Sequence, residues 1–143
     1  VLSRYKNKIV ITTTSEEIEG KVPEDYRKKM PAAIAELGMH QLEKVEDYNV
    51  KRRSVARQWD EWCNLNNYRR PLIVEDSVPV FLRYPIMVEP KRKQDTSWAI
   101  EELNIKPGVW MVSNLHPSNI SVTNCPNADE AVQRCINFPT ILD

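Results

Sequence analysis

The sequence predicts an α+β fold: a long N-terminal helix, then a small β-α-β-loop-α-β module whose short sheet is covered by helices. Three observations carry that prediction. Apolar residues from Ile34 to Trp62 recur mainly at steps of three and four, the period of a helix. From Val78 to Val88 they occupy every second position, the period of a strand. Beyond Val88, short helical and strand patterns alternate between Pro- and Asn-rich punctuation, which suits helices packed on a small sheet.

Residues 1–22 read as an irregular lead. Within it KIVITT (Lys8–Thr13) has the composition of a short strand, and Thr14 and Glu17 have capping-box spacing for one helical turn. Gly20 and Pro23 then punctuate the chain. Residues 23–66 form the long connecting helix. Pro31 suits a helix start, where its missing N–H costs nothing. The stripe runs through Ile34, Leu37, Leu42, Val45, Tyr48, Val55, Trp59 and Trp62, with Arg52 filling the one gap. Unbroken to Leu65, such a helix spans roughly 50 Å, against about 30 Å for a small domain. Half of the stripe therefore packs on the strands downstream, and the other half needs a partner. The alternative is two helices broken near Asp47–Asn49.

Residues 67–143 form the small α+β domain, entered through the linker NLNNYRRP (Asn64–Pro71). In SVPVFLRYPIMVEP the apolar set is Val78, Val80, Leu82, Tyr84, Ile86 and Val88, with Pro79 and Pro85 on the opposite phase. Proline removes a ladder donor, so this is an edge strand or two pieces joined at a bulge. Gln94–Ile105 reads as a helix burying Trp98, Ala99 and Leu103, together with Ile100, and ending on a left-handed Asn104. Lys106–Ser113 reads as a strand after a Pro-Gly turn, and NLHPSNISVTNCP as a polar loop. Asn127 and Glu130 have capping-box spacing for a helix over Ala128–Arg134, and Cys135–Thr140 closes as a strand.

Composition narrows the function classes. Twenty Lys and Arg cancel twenty Asp and Glu, so no global field points to nucleic acid. No apolar run reaches membrane-spanning length, and VLSRYKNKIV has no signal-peptide pattern. Three Cys with no CxxC fit reduced thiols in the cytoplasm, with Cys63 a small buried hydrophobe. The sequon Asn119-Ile120-Ser121 is set aside for that reason. A start at Val1 without Met and only three Gly fit a piece of a longer polypeptide, as Met removal or trimming also would.

Chemistry-bearing motifs are few. His40 and His116 have no Cys or carboxylate at ligand spacing, so no metal site is expected. Gly20, Gly38 and Gly108 are isolated, which rules out a glycine-rich phosphate cradle. The basic clusters Lys51–Arg53, Arg69–Arg70 and Lys91–Lys93 lie among acids and read as solvated faces. Trp59, Trp62 and Trp98 have core spacing, leaving Trp110 as the candidate for stacking on a ligand. The chain does not read as a complete enzyme.

Three ordered stretches carry a resemblance. They are MPAAIAELGMHQLEKV (Met30–Val45) followed by KRRSVARQWDEW, then LRYPIMVEPKRKQDTSWAIEELNI, then NCPNADEAVQRCINFPT (Asn124–Thr140). Together they resemble the C-terminal third of the DegT/DnrJ/EryC1/StrS family of pyridoxal-phosphate-dependent, fold-type-I sugar aminotransferases. The resemblance covers about Met30 to Leu142.

It implies that the long helix crosses from a large cofactor domain, absent from this chain, into an aminotransferase-type small domain. It further implies a parent that moves an amino group from glutamate to a keto-sugar on a nucleotide carrier, as a cytoplasmic homodimer. Pyridoxal phosphate belongs to that parent; none is expected on the isolated chain. In the family the Schiff-base lysine, the Asp on the pyridinium nitrogen and the phosphate cup all lie upstream. Lys6 and Lys8 do not match that lysine, so no catalytic residue is carried over. Where the family often has Asn-Tyr-Arg-Met, this chain has Arg27, Lys28, Lys29 and Met30. Arg27 would meet a cofactor phosphate by charge, or else form part of a solvated basic turn. Trp110, Asn114 and His116 fall where the family carries a substrate-proximal His/Tyr-Pro segment. There Trp110 would stack on a sugar or base and His116 would hydrogen-bond a phosphate; the alternative is a packed loop. Two rival functions stand beside this one: a stand-alone dimerisation module using the exposed half of the helix, and a small-ligand-binding α+β domain with a closed pocket.

Overall fold

The computed structural model describes residues 13–142 apart from Val112, Pro117, Asn119 and Ser121. The expected strand at Lys8–Thr13 lies almost wholly outside the described residues, as do Lys6, Lys8 and two members of the sequon. Helix α1 (Ser15–Ile18) opens on the expected capping box. Thr14 Oγ1 accepts from Glu17 N–H, and the Glu17 carboxylate accepts from Thr14 N–H. Gly20, at φ 75°, then turns the chain through a left-handed conformation, and a 3-10 turn follows at Glu24–Arg27.

The long helix is divided. Helix α2 spans Ala32–Leu42 and α3 spans Val45–Leu65. The interruption lies at Glu43–Lys44, where the N–H of Lys44 falls back to Gln41 O, an i→i−3 bond of 3.2 Å. The expectation of one unbroken helix is thus corrected; the alternative of two helices holds, with the break at Glu43–Lys44 rather than at Asp47–Asn49, which lies inside α3. Packing supplies a reason. Helix α3 buries Ala56, Trp59 and Cys63, whereas α2 buries nothing. A short helix with no packed face has little to hold it on a neighbour's axis.

Strand β1 (Arg83–Met87) pairs antiparallel with β2 (Cys135–Pro139), Tyr84 opposite Phe138 and Ile86 opposite Ile136. Tyr84, Ile86, Val88, Ile136, Phe138 and Thr140 alternate onto one buried face. The expected strand over 77–90 is therefore shortened at its start, and Val78 and Leu82 are exposed. β2 ends at Pro139, and the Thr140 hydroxyl lies 2.8 Å from both Phe81 O and Leu82 O. Among the described residues no strand pairs with residues 77–82.

On the other side of β2, Asn137 exchanges both backbone hydrogen bonds with Gly108, at 2.8 and 2.9 Å. That isolated bridge is all that stands in place of the expected strand over Lys106–Ser113, of which Val112 is not described. Because Asn137 turns its amide and carbonyl to Gly108, its pairing with Pro85 needs no donor from Pro85. The alternation then aims the backbone of Arg83, Pro85 and Met87 away from β2. Among the described residues no backbone hydrogen bond reaches that side.

Between the strands lie α4 (Pro90–Gln94), which the sequence pattern did not announce, and α5 (Ser97–Leu103). Trp98 and Ala99 are buried and Leu103 packs on the core, but Ile100 is exposed. Asn104 ends α5 at φ 52°, ψ 37°, the left-handed conformation expected of it. Helix α6 (Pro126–Arg134) begins with Pro126 in its first turn and shows no side-chain cap, so the capping box expected at Asn127 and Glu130 does not form. Phe138 is the hub of the core. Its ring centroid lies 4.8, 5.6 and 6.2 Å from those of Trp59, Trp62 and Trp98. Trp59 also donates its indole N–H to Pro139 O at 2.8 Å, fixing α3 to the end of β2.

Candidate functional site

The residues singled out from sequence are not gathered in one place. Arg27 is exposed at the end of the 3-10 turn. Tyr26, beside it, donates its hydroxyl to the Glu17 carboxylate. His116 is exposed and shares with Tyr26, Glu17, Gly20 and Lys21 a hollow of about 420 Å³, so His116 meets the lead of the chain there.

Trp110 stands apart from that hollow. It is 44% exposed, and the Arg83 guanidinium lies 6.0 Å from its ring centroid. A Cβ on Gly108 would come within 2.8 Å of Trp110 Nε1, so the indole depends on glycine at that position. Asn114 spends its side chain on the loop itself. Its amide donates to Val122 O at 2.7 Å and Asp129 Oδ1 at 2.6 Å, and its carbonyl accepts from Val122 N–H at 2.7 Å. It holds the loop on α6.

Two members of the basic cluster Lys91–Lys93 are not solvated as expected. Arg92 stacks over Trp98 at 4.4 Å and reaches Tyr68 and Glu102. Lys93 donates its ammonium to Met111 O at 3.1 Å and to Val132 O, tying the segment after Gly108 to α6. Burial pulls the Lys93 ammonium below the usual lysine range. No periodicity marks these residues, because a lysine that reaches two backbone carbonyls leaves no trace in a hydrophobic pattern.

Lys93 is the amine to test against a pyridoxal phosphate site. The groove beside it, about 490 Å³ and open to solvent, is walled by Pro90, Gln94, Val109, Met111, Val132 and Gln133. None of these is a carboxylate to face a pyridine nitrogen or a hydroxyl to hold a phosphate, and two of the three ammonium N–H groups of Lys93 are taken by backbone carbonyls. The residues there do not fit the cofactor. The groove is also not the closed pocket that a ligand-binding domain requires. Among the described residues no group of three or more His, Cys, Asp or Glu is placed to hold a metal ion. No described helix is long and apolar enough to cross a membrane.

Helix α2 presents an uncovered apolar face. Ile34, Leu37 and Leu42 on α2 are 54%, 57% and 61% exposed, and no described residue covers them. Fold and surface together define an α+β module with one helix packed into its core and a second left uncovered. The model of the DegT/DnrJ/EryC1/StrS aminotransferase family matches residues 9–143, and the chain belongs to that family. Searches of curated proteins and of solved structures return no match.

Proposed function

We propose that this chain is the small C-terminal domain of a pyridoxal-phosphate-dependent, fold-type-I aminotransferase acting on nucleotide-linked keto-sugars. In this reading the sheet and α3–α6 close the substrate cleft. Helix α2 carries the chain across to an upstream large domain of the same polypeptide, and the assembly is a cytoplasmic homodimer. The observation that supports it is the unequal burial of one helical stretch: Trp59 and Cys63 are buried, whereas Ile34, Leu37 and Leu42 are uncovered. An apolar face of that kind is a surface built for contact. The upstream domain supplies the lysine, the partner of the pyridine nitrogen and the phosphate cup. Bound there, the cofactor supplies the electron sink for amino-group transfer. Arg27 precedes α2 and meets the cofactor phosphate, while Trp110 and His116 contact the substrate from separate positions and Asn114 holds the loop that carries His116.

Intact mass spectrometry of the native polypeptide in its source cell tests this. The expected species is well above 16.7 kDa and carries bound pyridoxal phosphate. A native species of 16.7 kDa would remove the enzyme reading and leave α2 as a self-association surface. Replacing Leu37 and Leu42 with Asp would then dissociate a dimer in the ultracentrifuge.

A further inference from the structure

We propose that Arg52 and Arg83 form a binding site for a small oxyanion, in the hollow between α3 and the adjoining ends of β1 and β2. The hollow holds about 170 Å³ and is lined by Arg52, Leu82, Arg83, Pro139, Thr140 and Ile141. Two arginines thus line it, with no carboxylate among its walls. A water molecule occupies about 30 Å³ in the liquid, so the hollow has room for a phosphate-sized group with a few waters.

Arg52 carries the argument. Its Nε is buried and has no hydrogen-bond partner among the described residues. A buried donor on a charged group is costly to leave unpaired. The neighbouring arginines show the contrast. Arg53 pairs with Glu46, Arg92 with Glu102 and Arg134 with Glu130, whereas no described carboxylate pairs with Arg52 or Arg83. The contact of Arg83 with the Trp110 ring neutralises no charge. Thr140 turns its hydroxyl to Phe81 O and Leu82 O, so it closes one wall without supplying an acceptor to the arginines. What the site lacks is negative charge with several acceptor oxygens, and the planar guanidinium fork matches an oxyanion. The inference does not depend on the aminotransferase reading.

The test is titration of the purified polypeptide with inorganic phosphate at constant ionic strength, followed by phosphorus NMR and by thermal shift. Saturable binding is expected, weakened about tenfold or more in R52Q and in R83Q. It should weaken less in R52K, which keeps the charge but not the fork. R57Q removes an equal charge from α3 at a separate hollow beside Ile73 and Phe81, and should bind phosphate normally. Melts without phosphate establish that each variant is folded; R83Q serves alone if R52Q is not. Absence of saturable binding overturns the proposal, and so does an equal loss in R57Q, which would reduce the effect to general charge.

Discussion

Replacing Phe138 with Ala probes the packing argument most directly. Its side chain is fully buried, with three tryptophan rings around it. A buried aromatic hides about 150–250 Å². At about 25 cal/mol per Å², that burial is worth roughly 4–6 kcal/mol as an upper bound. The retained Cβ and partial collapse of Trp59, Trp62 and Trp98 into the gap reduce it, so a loss of about 3–5 kcal/mol is expected. That is a large share of the roughly 5–15 kcal/mol that stabilises an ordinary domain. Urea melts followed by tryptophan emission are the assay, because three of the four tryptophans surround the site. The paired control is Leu42→Ala on α2. Leu and Ala are close in helix propensity, and an uncovered side chain has little packing to lose, so the change should stay below about 0.5 kcal/mol. Similar losses at the two positions would refute the reasoning, since α2 would then be packed on the module. A loss under about 1 kcal/mol at Phe138 would deny that residue its place at the hub.

Three further outcomes are expected. Asn104→Ala keeps a β-carbon in the left-handed region but removes the short side-chain amide that makes Asn tolerant of it, and should cost about 1 kcal/mol in thermal denaturation, while Asn104→Gly should be neutral or better; equal melting of Ala and Asn variants would contradict the cap. Gly108→Ala drives a methyl to 2.8 Å from the Trp110 indole and should cost about 1–3 kcal/mol with a changed near-ultraviolet circular dichroism spectrum, and an unchanged spectrum would show that the indole is free to leave. At alkaline pH, burial holds the Cys63 thiol above its ordinary 9.0, and burial with the Asp60 carboxylate as acceptor holds the Tyr84 hydroxyl above its ordinary 10.0. Both groups stay neutral in the fold while the unfolded chain ionises. Their contribution is complete below pH 9 and is lost as pH rises above it, with Tyr84 adding to the loss beyond pH 10. Lys93, shifted downward by burial, works in the opposite direction and blunts the fall. Melting temperatures across this range should decline less steeply in Cys63→Ala, and an identical decline would remove Cys63 from the account.

The parts of the fold legible in sequence are those whose pattern reports burial. Tyr84, Ile86 and Val88 alternate because a sheet face does, and Trp59 and Cys63 sit four apart because a helix turn does. Asn104 was legible for a steric reason, since few residues other than Gly and Asn tolerate its conformation. The break at Glu43–Lys44 was not, because neither Gly nor Pro marks it and the stripe continues across it. The strand expected over Lys106–Ser113 failed because alternation reports a tendency to extend, not the presence of a partner. Among the site candidates, Trp110 was legible as the tryptophan outside the core spacing, and Asn114 as a member of the loop but not as its clasp. Arg52 was legible only as a gap in a stripe and Arg83 not at all, since long polar side chains meet through tertiary folding that no local period encodes.

Pro85 has a consequence for solubility. The outer side of β1 offers a row of backbone groups to any passing strand, and Pro85 stands at the middle of that row without an N–H. A strand docking there would find a carbonyl and a ring where it needs a donor, flanked by the cation of Arg83. The residue that costs β1 nothing inside its own ladder therefore denies the edge to a second copy, and a two-stranded sheet is kept from growing into a fibre.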